Sequence, residues 1–233
     1  MFSTRARHTA AAALAAAVLM TTAACGGSDG AERDTKPAAK ALTEDQLRPA
    51  ALAEGDVGAY TSEEPVAALS DDYTARPEVC QPLVSVAKGA TSHDPVAEIA
   101  RAVSDPYAEP SIDIDLHLRS YDGQDAAAVM EELGKAGEKC ADGFTEERSL
   151  VDAKVVEVET LEAPAVGDEA YAFRITTQDV KEADVMLYDY LTVIRSGSTT
   201  LSFRADTLGT QDFGGVPQDV IDAQWEKFER TAA

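Results

Sequence analysis

Apolar and polar residues alternate without a break from Ile112 to Arg119. Because successive side chains of a β-strand point to opposite faces, this alternation predicts a strand with one buried and one solvated face. β-branched and aromatic residues indicate further strands in the second half of the chain. We predict these strands at 144–150, 154–161, 169–177, 185–195 and 200–206, with Ser196-Gly197-Ser198 joining the last two as a hairpin.

Apolar residues at helical spacing predict two long amphipathic helices, from Asp125 to Lys139 and from Pro217 to about Arg230. Shorter helices are predicted over 43–53, 78–88 and 95–103. Runs of strands, with helices segregated from them, are typical of the α+β class. We therefore predict an antiparallel sheet of about five to six strands with helices packed on it.

The first 24 residues have the three-part layout of a secretory signal peptide. Arg5 and Arg7 give a positive start, an uncharged alanine-rich run follows from Thr9, and small residues precede Cys25. A membrane-spanning helix needs about 20 predominantly apolar residues. Because the apolar run is shorter than that, the layout favours export over a permanent span.

Thr22-Ala23-Ala24-Cys25-Gly26 resembles the lipobox of bacterial lipoproteins, in which a cysteine after small residues is lipidated and becomes the mature N-terminus. The resemblance implies that acyl chains such as palmitate on Cys25 hold the protein to the cell membrane, on its extracytoplasmic side. Thr22 departs from the pattern, because leucine is usual there. The alternative is simple cleavage after Ala24, which would release a secreted protein.

The segment that follows Cys25 is too poor in apolar side chains to bury a core. It predicts a flexible tether, whereas the remainder of the chain has the size of one domain. The predicted organisation is a signal peptide over 1–24, the lipidated cysteine and tether over 25–41, and a single extracellular α+β domain over 42–233.

Removal of residues 1–24 takes away two arginines and no acid, so the net charge changes from −22 to −24 in the mature chain. Such a chain repels nucleic acid and anionic lipid headgroups, and we expect no nucleic-acid partner. The acids are spread along the whole chain. We therefore interpret them first as a solubility feature and second as an attraction for cations or basic partners.

Three cysteines occur in the chain, and Cys25 is assigned to the anchor. Cys80 and Cys140 remain as a pair in an exported domain, where an oxidising compartment favours a disulfide. Two cysteines without a CxxC motif cannot build a structural zinc site alone. We predict a disulfide between Cys80 and Cys140 that closes a loop of about 60 residues.

One polar face of the 112–119 strand is the candidate site, and it carries Asp113, Asp115, His117 and Arg119. Their two-residue spacing places neighbours about 6.6–6.8 Å apart along the strand, which suits a carboxylate–histidine site for a cation or a polar ligand. The alternative, which we favour, is a solvated face with cross-strand pairs. We expect no metal and no cofactor, because the chain has no calcium loop, zinc motif or phosphate-binding loop.

We predict no catalytic residue, and therefore no enzyme. His93 lies beside Ser92 and Asp94, but adjacent residues cannot converge as a catalytic triad. The G-x-S-x-G motif of α/β-hydrolases does not occur. We interpret the His93 segment as a polar loop that caps the next helix.

Several short motifs follow one another in a fixed order: Leu42-Thr43-Glu44-Asp45-Gln46-Leu47, Pro77-Glu78-Val79-Cys80, Leu118-Arg119-Ser120-Tyr121, Gly167-Asp168-Glu169-Ala170-Tyr171 and Val193-Ile194-Arg195-Ser196-Gly197. In this order they resemble the PknH-like extracellular sensor domain of actinobacterial lipoproteins and receptor kinases. The resemblance covers most of residues 42–231. It implies a curved sheet with helices and a cleft for an external ligand. The chain departs from the pattern in lacking a second cysteine pair and any kinase signature.

These observations favour a membrane-anchored, non-catalytic ligand-binding or sensor module, whose partner is an unknown small ligand or an envelope protein. An envelope-acting hydrolase and a structural partner of another membrane protein remain as alternatives. A hydrolase requires a serine, cysteine or carboxylate within about 3.2 Å of His117 or His93 in a cleft. A binding module requires a cavity of roughly 300 Å³ or more that is lined by apolar side chains, and a structural partner requires a contiguous exposed apolar patch.

Replacing Cys25 with serine should leave the precursor uncleaved or release the protein to the medium, because serine cannot form the thioether that carries the lipid. Partitioning between a detergent phase and an aqueous phase measures the anchor. A Cys25→Ser protein that still enters the detergent phase would contradict the prediction.

Overall fold

The computed structural model describes residues 39–66, 73–87 and 92–232. They belong to a compact unit that runs from Pro37 to Ala233. The signal peptide, Cys25 and the tether up to residue 38 lie outside the described residues. The predicted domain boundaries and the lipidation of Cys25 therefore stay predictions. Among the described residues, no helix is long and apolar enough to cross a membrane.

Nine strands in the described part of the chain form one antiparallel sheet, in the order β1-β3-β4-β9-β8-β7-β6-β5-β2. They are β1 (Thr61–Glu63), β2 (Thr74–Arg76), β3 (Ala97–Ser104), β4 (Ile112–Ser120), β5 (Phe144–Glu147), β6 (Ala153–Thr160), β7 (Glu169–Gln178), β8 (Met186–Ser196) and β9 (Thr199–Thr207). The α+β class and the antiparallel sheet are confirmed. The sheet is larger than predicted because the edge strands β1 and β2 are too short to show alternation, and because β3 falls in a segment predicted as a helix.

Four α-helices accompany the sheet in these residues: α1 (Glu44–Leu47), α2 (Gln81–Ala87), α3 (Asp125–Lys139) and α4 (Gln218–Ala232). Helices α3 and α4 match the two predicted amphipathic helices. The predicted 43–53 helix is cut short, because Pro49 lies in a 3₁₀ turn, Arg48–Ala50, that follows α1. Proline lacks the amide proton that the interior of an α-helix needs. A second 3₁₀ turn, Glu78–Cys80, precedes α2.

The predicted helix over 95–103 is wrong, because this segment forms strand β3. Its alanines favour a helix locally. However, Ala97, Ile99 and Val103 are buried while Glu98 is exposed, which is the two-residue period of a strand. All eight residues of β3 pair with β4, and this long-range pairing overrides the local preference.

Helices cover both faces of the sheet, but on different strands. On one face, α1 and α4 pack against β3, β4, β9 and β8 in a first core that includes Phe203 and Phe228. On the other face, α2 and α3 pack against β5 to β8 in a second core that includes Leu133. Strand β8 contributes to both, with Ile194 in the first core and Val193 in the second.

The second face of β3, β4 and β9 carries mostly polar side chains. Helix α3 packs on β6, β7 and β8, and α2 reaches β9, so neither helix covers this part of the sheet completely. We call this surface the polar half-face, and it consists of Glu98, Ser104, Asp113, Asp115, His117, Arg119, Thr200, Ser202, Arg204 and Asp206. It contains all four residues of the predicted ligand face.

Cys80 and Cys140 form the predicted disulfide, and their Cα atoms lie 5.9 Å apart. The bond joins the residue before α2 to the residue after α3. Both cysteines are buried in the second core. For a loop of this length, the chain-entropy description gives a stabilisation of about 4 kcal/mol.

The two ends of the sheet differ in what they carry. At one end, Ser198 in the β8–β9 turn donates a hydrogen bond to the carbonyl of Lys40 at 3.0 Å, and the amide of Leu42 donates to Oγ of Ser120 at 2.8 Å. The predicted tether joins the domain here, so we call this the tether end. The opposite end, the far end, holds the connections 105–111, 148–152 and 179–185 and the segment 208–217.

Two glycines let α3 lie close to the sheet. A Cβ atom at Gly137 would lie 2.4 Å from a ring carbon of Phe173, and one at Gly134 would lie 2.6 Å from the hydroxyl of Tyr171. Real Cβ atoms do not approach other heavy atoms so closely, so a larger residue forces a neighbour to move.

We expect Gly137→Ala to lower the free energy of unfolding by about 1–3 kcal/mol, the cost of overpacking a core. Phe173 is fully buried, so its ring cannot swing out to solvent. Gly134→Ala is the matched control, since half-buried Tyr171 can swing outward and alanine favours a helix by up to about 1 kcal/mol over glycine. Urea unfolding measures both variants, and equal losses would show that this packing argument is wrong.

Candidate ligand-binding site

The four residues of the predicted ligand face divide into two groups along β4. Asp113 and Asp115, toward the far end, are exposed, whereas His117 is half-buried and Arg119 is fully buried toward the tether end. The cross-strand register places Arg204 of β9 opposite Asp115. The four side chains therefore belong to two polar clusters and do not converge on one point.

Glu98 on β3 holds the pair at the tether end. One of its carboxylate oxygens accepts a hydrogen bond from Nη2 of Arg119 at 2.8 Å and lies 2.8 Å from Nδ1 of His117. The Arg119 side chain is 2% exposed, so the expectation of a solvated face is wrong at this position. The last residues of β4, Leu118 to Ser120, are all buried, and a buried guanidinium needs a charge partner.

The contact between His117 and Glu98 has the form of the base–carboxylate half of a hydrolase site. Ser202 lies opposite His117 on β9, but its buried hydroxyl has no hydrogen-bond partner among the described residues. A general base must lie within hydrogen-bond reach of the proton that it removes. His117 is therefore not placed to activate this serine. The segment of His93 precedes strand β3, so the prediction that it caps a helix is wrong. His93 lies 3.2 Å from Glu132 of α3.

Arg204 on β9 is the centre of the far-end group. It forms ion pairs with Asp206 at 2.7 Å, with Asp115 at 3.5 Å and with Asp189 of β8. Three carboxylates thus surround one guanidinium, which leaves two negative charges in excess. The guanidinium fills the position that a metal ion would need. Within the described ranges, no group of three or more His, Cys, Asp or Glu side chains could hold a metal.

A cavity of about 290 Å³ opens beside Arg204, and we call it the far-end cavity. Its walls come from the ends of β7, β8 and β9 and from the adjoining connections. Its charged and hydroxyl lining includes Arg148, Thr177, Asp179, Asp189, Arg204 and Asp206. A smaller cavity of about 30 Å³ shares four of these residues and is closed by Leu83 and Val84 of α2.

Negative charge dominates the far-end cavity. Arg148 is paired with Glu146 at 2.9 Å, so the excess comes from the carboxylates around Arg204. Burial raises the pKa of Asp206; Arg204 opposes this shift, and the nearby carboxylates of Asp189 and Asp115 reinforce it. The net rise in the pKa of Asp206 therefore comes first from its burial and second from the neighbouring carboxylates.

Thr177 adds a hydroxyl group to the cavity wall. Its side chain is 7% exposed, and the residue lines both the large and the small cavity. Across the described part of the chain, its hydroxyl takes part in no hydrogen bond. The hydroxyl is thus free to bond to whatever occupies the cavity.

Four exposed apolar side chains lie in the chain segments that form the far-end cavity. Leu150 is 98% exposed and Leu208 is 99% exposed, and about half of Val151 and Val180 is exposed. Val180 lines the cavity, and each of the other three lies within two residues of a lining residue. We call these four residues the apolar collar.

Two further cavities of similar size lie elsewhere. One of about 300 Å³ lies between α2 and α3 and has mostly apolar walls, including Val79 and Pro82. The other, of about 330 Å³, lies beside the start of α4 and includes Tyr190. Burial and a hydrogen bond to Asp212 raise the pKa of Tyr190 to about 12, so its hydroxyl stays protonated. Neither cavity contacts the predicted ligand face. The far-end cavity adjoins that face, because Arg204 in its wall forms an ion pair with Asp115.

Fold and site together define an α+β domain with a charged cavity at one end of its sheet. The fold is similar to that of the extracellular domain of PknH from Mycobacterium tuberculosis, with a TM-score of 0.56 and 11% identity, over 82% of this chain and 97% of that chain. A putative uncharacterized protein from Mycobacterium smegmatis gives a TM-score of 0.37 and 13% identity, over 76% and 87% of the two chains. No protein-family model and no curated protein matches the chain. The fold implied by the sequence resemblance is thus confirmed.

Sequence reasoning identified Asp115 but missed the side chains that meet it. Asp189, Arg204 and Asp206 lie on β8 and β9, far from β4 along the chain. The signal was present in part, because polar residues alternate with Phe203 and Ala205 in the predicted 200–206 strand. Which strand lies beside β4 depends on the strand order, and one sequence does not reveal that order.

We expect Glu98→Gln to lower stability at neutral pH, because it removes the charge partner of buried Arg119. Burial by itself would raise the pKa of Glu98, but the hydrogen bond to His117 and the charge of Arg119 outweigh it and hold the pKa below its usual value of 4.5. The carboxylate therefore stabilises the fold above the unfolded-state pKa, and this effect is lost as the pH falls through the folded-state pKa.

The stability difference between wild type and Glu98→Gln should thus narrow below about pH 4.5. Urea unfolding at a series of pH values measures it. Asp113→Asn, which changes an exposed carboxylate on the adjacent strand, is the control and should alter stability by no more than about 0.5 kcal/mol. A difference that stays constant across the acid range would refute the assignment.

Proposed function

We propose that this protein is a lipid-anchored module on the extracytoplasmic face of the cell membrane that binds a ligand without catalysis, as a sensor domain does. The far-end cavity, at the end of the sheet opposite the tether, is the observation that carries the proposal. The similarity of the fold to an extracellular domain and the signal-peptide layout of residues 1–24 support the extracytoplasmic location.

Anchoring at Cys25 would attach the domain to the membrane through its tether end, which is the end of the sheet opposite the far-end cavity. The tether joins the domain through the contacts of Lys40 and Leu42 at the tether end. Strand β8 runs the length of the sheet with 11 residues, and at about 3.4 Å per residue the two ends lie roughly 37 Å apart.

The side chains around the cavity can hold a polar or charged ligand. The lining offers ion pairs, carboxylates and the Thr177 hydroxyl, and no histidine or cysteine belongs to it. Its volume of about 290 Å³ lies just below the range for sites of drug-sized ligands, roughly 300–1,000 Å³. The cavity has room for a small molecule or for one side chain of a larger partner.

Thr177→Trp should abolish ligand binding, because an indole ring would fill the far-end cavity. The full mature protein, purified from membranes in detergent, is screened by thermal shift against small molecules of positive, negative and zero charge. A ligand at a hundred times its Kd stabilises by about 2.7 kcal/mol, which raises Tm by about 5–10 °C for a domain of this size. We expect the wild type to respond to at least one compound and Thr177→Trp to none.

Thr231→Trp, at the exposed end of α4, is the matched control and should respond like the wild type. Thr207→Trp provides a second cavity-filling variant in case Thr177→Trp lowers the Tm of the unliganded protein. A compound that shifts the wild type and both cavity variants equally would place the binding site elsewhere and refute the proposal.

A further inference from the structure

We infer that the far-end cavity takes a positively charged nitrogen group, an ammonium or a guanidinium, whose apolar carrier packs on the apolar collar. The inference rests on the proposed function and names the chemical class of ligand for that site. Three separate features support it: the excess of carboxylates, the unpartnered hydroxyl of Thr177 and the exposed collar.

The charge balance sets the sign of the ligand. Both guanidinium groups of the lining already have carboxylate partners, Glu146 for Arg148 and three aspartates for Arg204. An anionic ligand would have to displace those carboxylates. A cation would instead give a second partner to carboxylates that have acceptor positions to spare, since each ionised carboxylate can accept several hydrogen bonds.

The hydroxyl of Thr177 points to a ligand independently of the charges. The Thr177 side chain is nine-tenths buried, at 7% exposed, and it faces the cavity without a hydrogen bond in the described part of the chain. An ammonium group carries three donors and no acceptor. The hydroxyl oxygen and the aspartate oxygens are acceptors, so the lining complements the donors that such a group brings.

The apolar collar indicates what carries the cation. An inorganic ion or a short diamine would leave Leu150 and Leu208 in water. An alkyl chain that extends out of the cavity mouth would instead cover them, and each methylene removed from water strengthens binding. A free alkylamine and a lysine side chain of an envelope protein share this chemistry.

Calorimetric titration of the mature protein with three compounds that share the hexyl chain separates charge from shape. Hexylamine should bind at least about tenfold more tightly than hexan-1-ol or hexanoate. 1,4-Diaminobutane carries the positive charge but has no free alkyl end. A blocked peptide with one lysine between leucines tests whether the cation is the side chain of a protein. Uptake of each compound by the detergent is measured without protein and subtracted, so that binding can be compared between compounds as well as between variants.

Asp206→Asn removes one excess charge and keeps the shape of the side chain, so it should weaken hexylamine binding about tenfold. Asp45→Asn, in the first turn of α1, removes the same charge elsewhere and should leave binding unchanged. Leu150→Ser combined with Leu208→Ser should weaken hexylamine and leave 1,4-diaminobutane unaffected. If Asp206→Asn lowers the Tm of the unliganded protein, hexylamine is instead titrated into the wild type at increasing salt concentrations. Binding of a cation should weaken as the ionic strength rises.

Tighter binding of hexanoate or hexan-1-ol than of hexylamine would overturn the inference. If Thr177→Trp abolishes the binding of that tighter compound, the proposed function still stands. Equal hexylamine binding by Asp206→Asn and the wild type would also overturn it. If the lysine peptide binds and hexylamine does not, the result would support a cationic ligand group and assign that group to a protein side chain. If none of the compounds binds, the inference fails, while the thermal-shift screen decides the proposed function separately.

Discussion

Strand β8 is buried on both faces, and the rest of the domain is arranged to satisfy that requirement. Tyr190 and Ile194 pack into the first core, and Leu191 and Val193 pack into the second. A strand that is apolar on both sides needs a layer of structure over each face. Helices α1 and α4 supply one layer and α2 and α3 the other, and the two cores overlap at β8. The polar half-face lies where the second layer is incomplete, over β3, β4 and β9.

The polar half-face holds two charged clusters, one around Arg119 and one around Arg204, and they differ in how deeply the arginine is buried. Arg119 is almost fully buried and shares Glu98 with the half-buried His117. Removing one partner of a buried ion pair is strongly destabilising, so this cluster belongs to the stability of the fold. Arg204 is less buried, with 19% of its side chain exposed, and three carboxylates surround its single positive charge. An excess of this kind does little for stability, which is why we assign the ligand to this cluster.

The sequence was informative where the pattern of apolar and polar residues depends on a single helix or strand. The alternation from Ile112 to Arg119 and the helical spacing of α3 and α4 are local properties, and the structure confirms them. The disulfide was predictable because Cys80 and Cys140 were the pair left by the anchor. Strand β3 was missed because its alanines favour a helix until β4 pairs with it. The Arg204 cluster was missed because it forms across three strands whose order is a property of the whole sheet.

The distance between the tether end and the far end has an electrical consequence. Strand β8 separates the two ends by roughly 37 Å. In physiological salt an electrostatic potential decays over about 8 Å. The potential of the carboxylates around Arg204 is therefore screened several times over before it reaches the tether end, and charges at the tether end do not reach the far-end cavity. The occupancy of the cavity thus depends on the ions in the solution at its own end of the sheet.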